Sequence, residues 1–213
     1  MRLLKTKSHP ERLDAIVEIL SEANLHHPLW RYVFPEEFQR MERLIQLNKV
    51  RIQLLGERSK FWLDTDGRVA GHIAFAASNC ALPSIWELIK VGFLTFPCRW
   101  GIASFIRFNR LMNGLAEKES LLLDHTAKTW LLEAFAIRSD LRGKGMGSDL
   151  LKALIMTKTL PGARTVLLCQ EPAAHSFYLR LGFTDIGHHH EVSLKPCTTV
   201  PCWAMEFVKP THG

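Results

Sequence analysis

Arg138-Ser139-Asp140-Leu141-Arg142-Gly143-Lys144-Gly145-Met146-Gly147-Ser148 joins a short apolar run, Leu131–Ile137, to a segment with Leu150, Leu151, Leu154 and Ile155 on one helical face. The spacing predicts a buried strand, a glycine-rich turn and a helix over Ser148 to about Thr159. Three glycines in five residues let the backbone bend closely around a ligand. The first amides of the helix have no intrahelical acceptor and point outward with the positive end of the helix dipole. Such a turn suits a pyrophosphate, and Arg142 and Lys144 add cationic donors beside it. Two phosphate-binding patterns are excluded by spacing. Lys144 is followed by Gly145, where a P-loop needs Ser or Thr. A dinucleotide fingerprint would place its third glycine at Ser148 or at Leu150.

Outward from this turn the pattern is mixed. Pro10–Ala23 carries apolar residues at helical spacing, and a second amphipathic helix is expected from Glu36 to Val50. Between them, His26 to Pro35 reads as an interruption, two prolines bracketing the aromatic cluster Trp30, Tyr32 and Phe34. Phe61–Leu63 and Val69–Phe75 flank Asp66-Gly67, a hairpin signal. Ile85–Lys118 is helical and broken near Pro97. Downstream, Thr165–Cys169 reads as a buried strand, Pro172–Leu181 as a helix stopped by Gly182, and Cys202–Val208 as a closing strand. The order implies one mixed α/β domain over residues 1–213 with at least one strand–helix–strand crossover.

Composition narrows the classes. At 213 residues, 47% hydrophobic and 23% charged, the chain is long enough and apolar enough for a buried core. The longest apolar patches are too short to span a bilayer, and Met1–Lys5 lacks the apolar region of a signal peptide, so a cytoplasmic protein with no membrane partner is expected. Five scattered cysteines without a close pair argue against a disulfide framework or a zinc ribbon. His188-His189-His190 cannot all face one ion from a regular strand, and no third ligand for His188 and His190 lies nearby, so a turn or exposed strand end is expected and no metal site. The formal charge of +6 is spread along the chain rather than massed in a stripe, which gives no nucleic-acid partner; positive potential also suits a polyanionic small molecule.

Arg142, Gly145 and Gly147 satisfy Arg/Gln-x-x-Gly-x-Gly/Ala between a strand and a helix. Ala174, Phe177, Tyr178, Gly182 and Phe183 then satisfy Ala-x-x-Phe-Tyr-x-x-x-Gly-Phe. With both motifs in this order the chain resembles the GNAT superfamily of N-acetyltransferases, closely over about 131–183 and more loosely elsewhere. The resemblance implies a mixed, mostly antiparallel central sheet flanked by helices, with two parallel strands, here Leu131–Ile137 and Thr165–Cys169, splayed around acetyl-CoA. It implies acetyl transfer to a primary amine of a small molecule or peptide, with coenzyme A as product. Pantetheine contacts then fall to the backbone of Phe135, Ala136 and Ile137, which read equally as strand core. The pyrophosphate falls to Arg142, Gly143, Lys144, Gly145, Met146, Gly147 and Ser148.

Tyr178 matches the family tyrosine that protonates or orients the leaving sulfur; a phenol with an ordinary pKa near ~10 can donate at neutral pH. A ring packed under the helix is the competing reading. Glu133 is the candidate base, because a carboxylate in an apolar strand needs a reason and residues 133, 135 and 137 of a regular strand share a face. A salt bridge is the other reading of Glu133, and His125 is an alternative base. Trp30, Tyr32 and Phe34 either line an acceptor pocket or pack in the core. Glu171 occupies the place where many relatives carry an asparagine, with Gln170 as a substitute. The family reading leaves open a non-catalytic acyl-CoA-binding or sensor module, and a monomer or homodimer.

Overall fold

Asp64 organises the first hairpin: its Oδ1 accepts from the amides of Asp66 and Arg68, at 3.0 and 2.9 Å, and Gly67 takes the left-handed φ of 74° that closes the turn. The computed structural model describes residues 3–78, 85–123, 128–187, 190–195 and 198–211. They fall into two compact units, the first of Met1–Ala74, Ala81–Asn109 and Ala134–Arg142, the second of Phe75–Cys80, Arg110–Glu133 and Gly143–Gly213.

The first unit holds β1 (Leu4–Lys5), α1 (Leu13–Asn24), α2 (Pro28–Val33), α3 (Glu37–Leu55), β2 (Ser59–Leu63) and most of β3 (Val69–Ala77). It continues with α4 (Ile85–Lys90), α5 (Phe96–Trp100), the start of α6 (Ile102–Leu122) and the end of β4 (Thr129–Ile137). Its sheet order is β1-β2-β3-β4, with β2 antiparallel to β1 and β3. Phe61 of β2 packs with Ile16, Val17, Ile19 and Leu20 of α1 and Ile52 of α3, the apolar face expected for the first helix. Gly71 lies opposite Trp62; a Cβ there would come within 2.3 Å of the indole and 2.5 Å of Ala136 O, so only glycine fits. The stretch read as an interruption is helix α2, with Pro28 at its first position, where a missing N–H costs nothing. Its exit is held by Arg40, fully buried, whose guanidinium donates to the carbonyls of Phe34, Pro35 and Leu25.

The second unit adds α7 (Met146–Lys158), β5 (Arg164–Cys169), α8 (Pro172–Arg180), β6 (Thr184–Asp185), β7 (His190–Lys195) and β8 (Thr198–Val208). β5 is antiparallel to β8 over six residue pairs, and β6 and β7 pair with β8. β4 and β5 are parallel, which makes α7 the expected crossover helix; it buries Leu150, Leu151, Leu154 and Ile155. The parallel ladder comprises Thr129↔Arg164, Trp130↔Thr165 and Leu131↔Val166. It does not continue to Leu132 and Glu133 or to Leu167–Cys169, so the strands part after three residues. The result is a mixed, mostly antiparallel sheet with one parallel pair and flanking helices, as the motifs implied.

β3 and β4 are neighbours in the sheet. In the first unit Arg138 N donates to Ala70 O and Phe135 stacks on Trp62; in the second, Ser78 N donates to Thr129 O and Trp130 stacks on Phe75.

His72 of β3 is completely buried; its Nε2 shares a hydrogen bond with Ser59 Oγ, 2.8 Å away, which donates on to Thr6 Oγ1 at 2.9 Å. Burial, with help from the Arg51 charge, pushes its pKa down to about 3, so the ring is neutral in the folded chain. In the unfolded chain a histidine titrates near ~6.5. Below that pH only the unfolded state takes the proton, so stability is full above ~6.5 and declines by up to about 1.4 kcal/mol per pH unit as the solution is acidified. Urea unfolding between pH 7 and 4 should show this slope in the wild type and a shallower one, by that amount, in His72→Gln. Equal slopes would remove His72 as the cause.

Candidate active site

The turn before α7 is shaped by two glycines. Gly143 and Gly145 have φ of 76° and 78°, and a Cβ at either would meet nothing within 4 Å, so the requirement is conformational rather than steric. Gly145 is the N-cap residue and can offer no side-chain acceptor; the first α-helical bond runs from Asp149 N to Gly145 O. The amides of Met146, Gly147 and Ser148 therefore have no acceptor among the described residues. Lys144 is exposed beside them. Unpartnered amides at a helix N-terminus beside a cation are the chemistry that favours an anion.

Within the same unit, Glu133 is half-buried on β4, just beyond the point where the parallel ladder ends. Tyr178 lies on α8 with its ring edge-on to Phe177 and Phe183, centroids 5.2 and 5.4 Å away. Its hydroxyl has no hydrogen-bond partner among the described residues. Burial, and then the neighbouring Cys169 sulfur, raises its pKa above the usual phenol range, so the proton stays on. Cys169, at the end of β5, is itself pushed up to about 11 by burial and donates to Glu171 O at 3.4 Å. Gln170, the proposed substitute for the family asparagine, turns its amide to Cys202 Sγ, 3.4 Å away. Tyr178 is thus a neutral donor without a partner.

In the first unit, Phe135 stacks on Trp62 at 6.1 Å, Ala136 is buried in the α1 core, and Ile137 O accepts from Arg142 Nε at 3.0 Å. Between them and the turn lies Arg138, which sequence reasoning passed over. It donates to Val69 O, Asp64 Oδ2 and Asp140 Oδ1, each at 2.7 Å. Its hydrogen bonds hold the Asp64 and Asp140 carboxyls below their ordinary range. Asp at 64 and 140 with Arg at 138 was the available signal, but the partners are 74 residues apart for Asp64.

Trp30 and Phe34 are core residues: Phe34 is 0% exposed and stacks edge-on to Trp100 at 5.1 Å. Only Tyr32 of that cluster is half-exposed. His125, the alternative base, and His188 and His189 lie outside the described residues, while His190 begins β7. No group of three or more metal-capable side chains occurs among the described residues. No helix there is long and apolar enough to cross a membrane. A further cluster was not foreseen: His175 Nε2 meets both Asp185 oxygens, at 2.8 and 3.1 Å, with its ring stacked on Trp203.

Comparison with known proteins agrees with this architecture. Residues 102–185 match the family of acetyltransferase (GNAT) domains. No curated protein matches the chain. Among solved structures, a histone acetyltransferase HPA2-related acetyltransferase from Corynebacterium glutamicum is 20% identical with a TM-score of 0.57, covering 98% of this chain and 94% of that one. Arylalkylamine N-acetyltransferase 2 from Aedes aegypti is 12% identical with a TM-score of 0.54, over 97% and 98%. An acetyltransferase from Salmonella typhimurium, solved with its cofactor acetyl-CoA, is 18% identical with a TM-score of 0.50, over 100% and 96%. At these identities the likeness is one of fold. The segment from 102 to 185 is the part that resembles an acetyltransferase domain in sequence. The family match is confined to that segment, and over the rest of the chain the likeness to GNAT acetyltransferases is one of fold.

With only two tyrosines in the chain, Tyr178 can be watched directly. In a Tyr32→Phe variant, phenolate absorbance should develop only well above pH ~10. An ordinary titration near ~10 would show that burial does not act on this hydroxyl.

Proposed function

We propose that the enzyme moves an acetyl group from acetyl-CoA directly to a primary amine of a small molecule or peptide. The observation that carries this reading is the set of unpartnered amides at Met146, Gly147 and Ser148 behind two left-handed glycines, with Lys144 beside them. It is supported by the presence of acetyl-CoA in one structural neighbour. When bound, acetyl-CoA supplies an acetyl group already activated as a thioester.

The chain's own residues then divide the work. Gly143 to Ser148, with Arg142, hold the pyrophosphate by backbone amides and charge. The backbone of Phe135, Ala136 and Ile137 receives the pantetheine. Glu133 takes the proton that the amine gives up as its nitrogen bonds to the carbonyl carbon, with His125 as the alternative base. Tyr178 gives a proton to the sulfur as the carbon–sulfur bond breaks. A neutral phenol whose ionisation is suppressed keeps this proton at every physiological pH.

Thiol release from acetyl-CoA against a panel of small amines and peptides tests the reading. With an accepted amine, Tyr178→Phe should lower kcat by about 10²-fold or more with KM for acetyl-CoA nearly unchanged. Unchanged kcat would take Tyr178 out of this role. Coenzyme binding without thiol release for any amine would favour a non-catalytic acyl-CoA-binding protein.

A further inference from the structure

The second unit contains a pocket of about 260 Å³ away from the glycine turn. It is lined by Leu151, Ile155, Leu181 and Phe183, all buried, and by Phe207 and Met156. Ile155 is nine residues beyond Met146 along α7, which places the pocket about 13 Å down the helix from its N-terminus. The one polar side chain among the lining residues is Lys152, exposed and without an ion pair or hydrogen bond among the described residues. The nearby Lys209 is committed elsewhere, donating to Met156 O and Thr159 O at 2.7 Å each. Of the apolar lining residues, Met156 is 48% exposed, an apolar edge to the pocket.

Such walls offer a water molecule almost no partners, and water needs two to four. An apolar group would displace that poorly held solvent with a gain from burial. Lys152 favours one negative charge at the mouth. A single cation matches a single charge, whereas a phosphate ester carries up to about two and would remain partly uncompensated. The volume is just below the ~300 Å³ at which drug-sized pockets begin. We propose that this pocket binds a small apolar monocarboxylate, with its hydrocarbon chain against Leu151, Ile155 and Phe183 and its carboxylate on Lys152. The site is separate from the proposed donor site and does not depend on it.

Calorimetric titration of the full chain with octanoate tests the assignment, with octan-1-ol as the uncharged control. Octanoate should bind saturably at one site, unaffected by saturating coenzyme A. Lys152→Gln should weaken octanoate about fivefold and leave octan-1-ol unchanged. Met156→Trp, which fills the pocket from an exposed position, should abolish both. Absence of saturable octanoate binding, equal affinity in Lys152→Gln, or displacement by coenzyme A would each overturn the proposal.

Discussion

A hydrogen-bond ladder that stops early governs the chemistry this fold can do. β4 and β5 pair in parallel through Leu131 and Val166 and then part. Beyond that point β5 keeps its antiparallel pairing with β8 down to Cys169 and Trp203, so the strand stays ordered while its other edge is released. Backbone groups on a released edge need partners, and in a strand interior the cost of leaving them unmade is considerable. A ligand with alternating donors and acceptors, such as an amide-bearing pantetheine arm, has the right chemistry to supply them.

Two arginines hold the surroundings in place. Arg40 is buried with three backbone carbonyls as its partners, fixing the exit of α2 where the main chain would otherwise leave acceptors unpaired. Arg138 joins the Asp64 hairpin to the start of the glycine turn through Asp140 and Val69 O. Both arginines use the planar fork that lysine lacks. They act on loops, which hydrophobic burial alone does not position.

Much of this was legible in the sequence. The hairpin, the crossover helix and the glycine turn each rest on local chemistry: Asp-Gly, a 3.6-residue apolar repeat, and glycines where φ must be positive. What stayed hidden depends on distant partners. Pro28 read as a breaker, yet it opens α2, because the same ring that ends a helix is tolerated at its first position. Phe34 looked available for an acceptor until Trp100, far along the chain, covered it. The two-residue strands β1 and β6 carry no periodicity to detect. His72 and the His175–Asp185 pair were silent for the same reason, since a histidine's role is set by what surrounds it.

The central claim is that the free amides of Met146, Gly147 and Ser148 hold the donor's pyrophosphate. Calorimetric binding of coenzyme A to the wild type and to Gly145→Val tests it most directly. Valine at a φ of 78° is strained, so the turn must rearrange and withdraw its amides, while the open space around Gly145 spares the core. The account predicts saturable binding by the wild type and at least a tenfold loss in the variant, roughly the effect of one charge-assisted hydrogen bond, with the far-ultraviolet spectrum unchanged. Equal affinity in a folded Gly145→Val protein would contradict it.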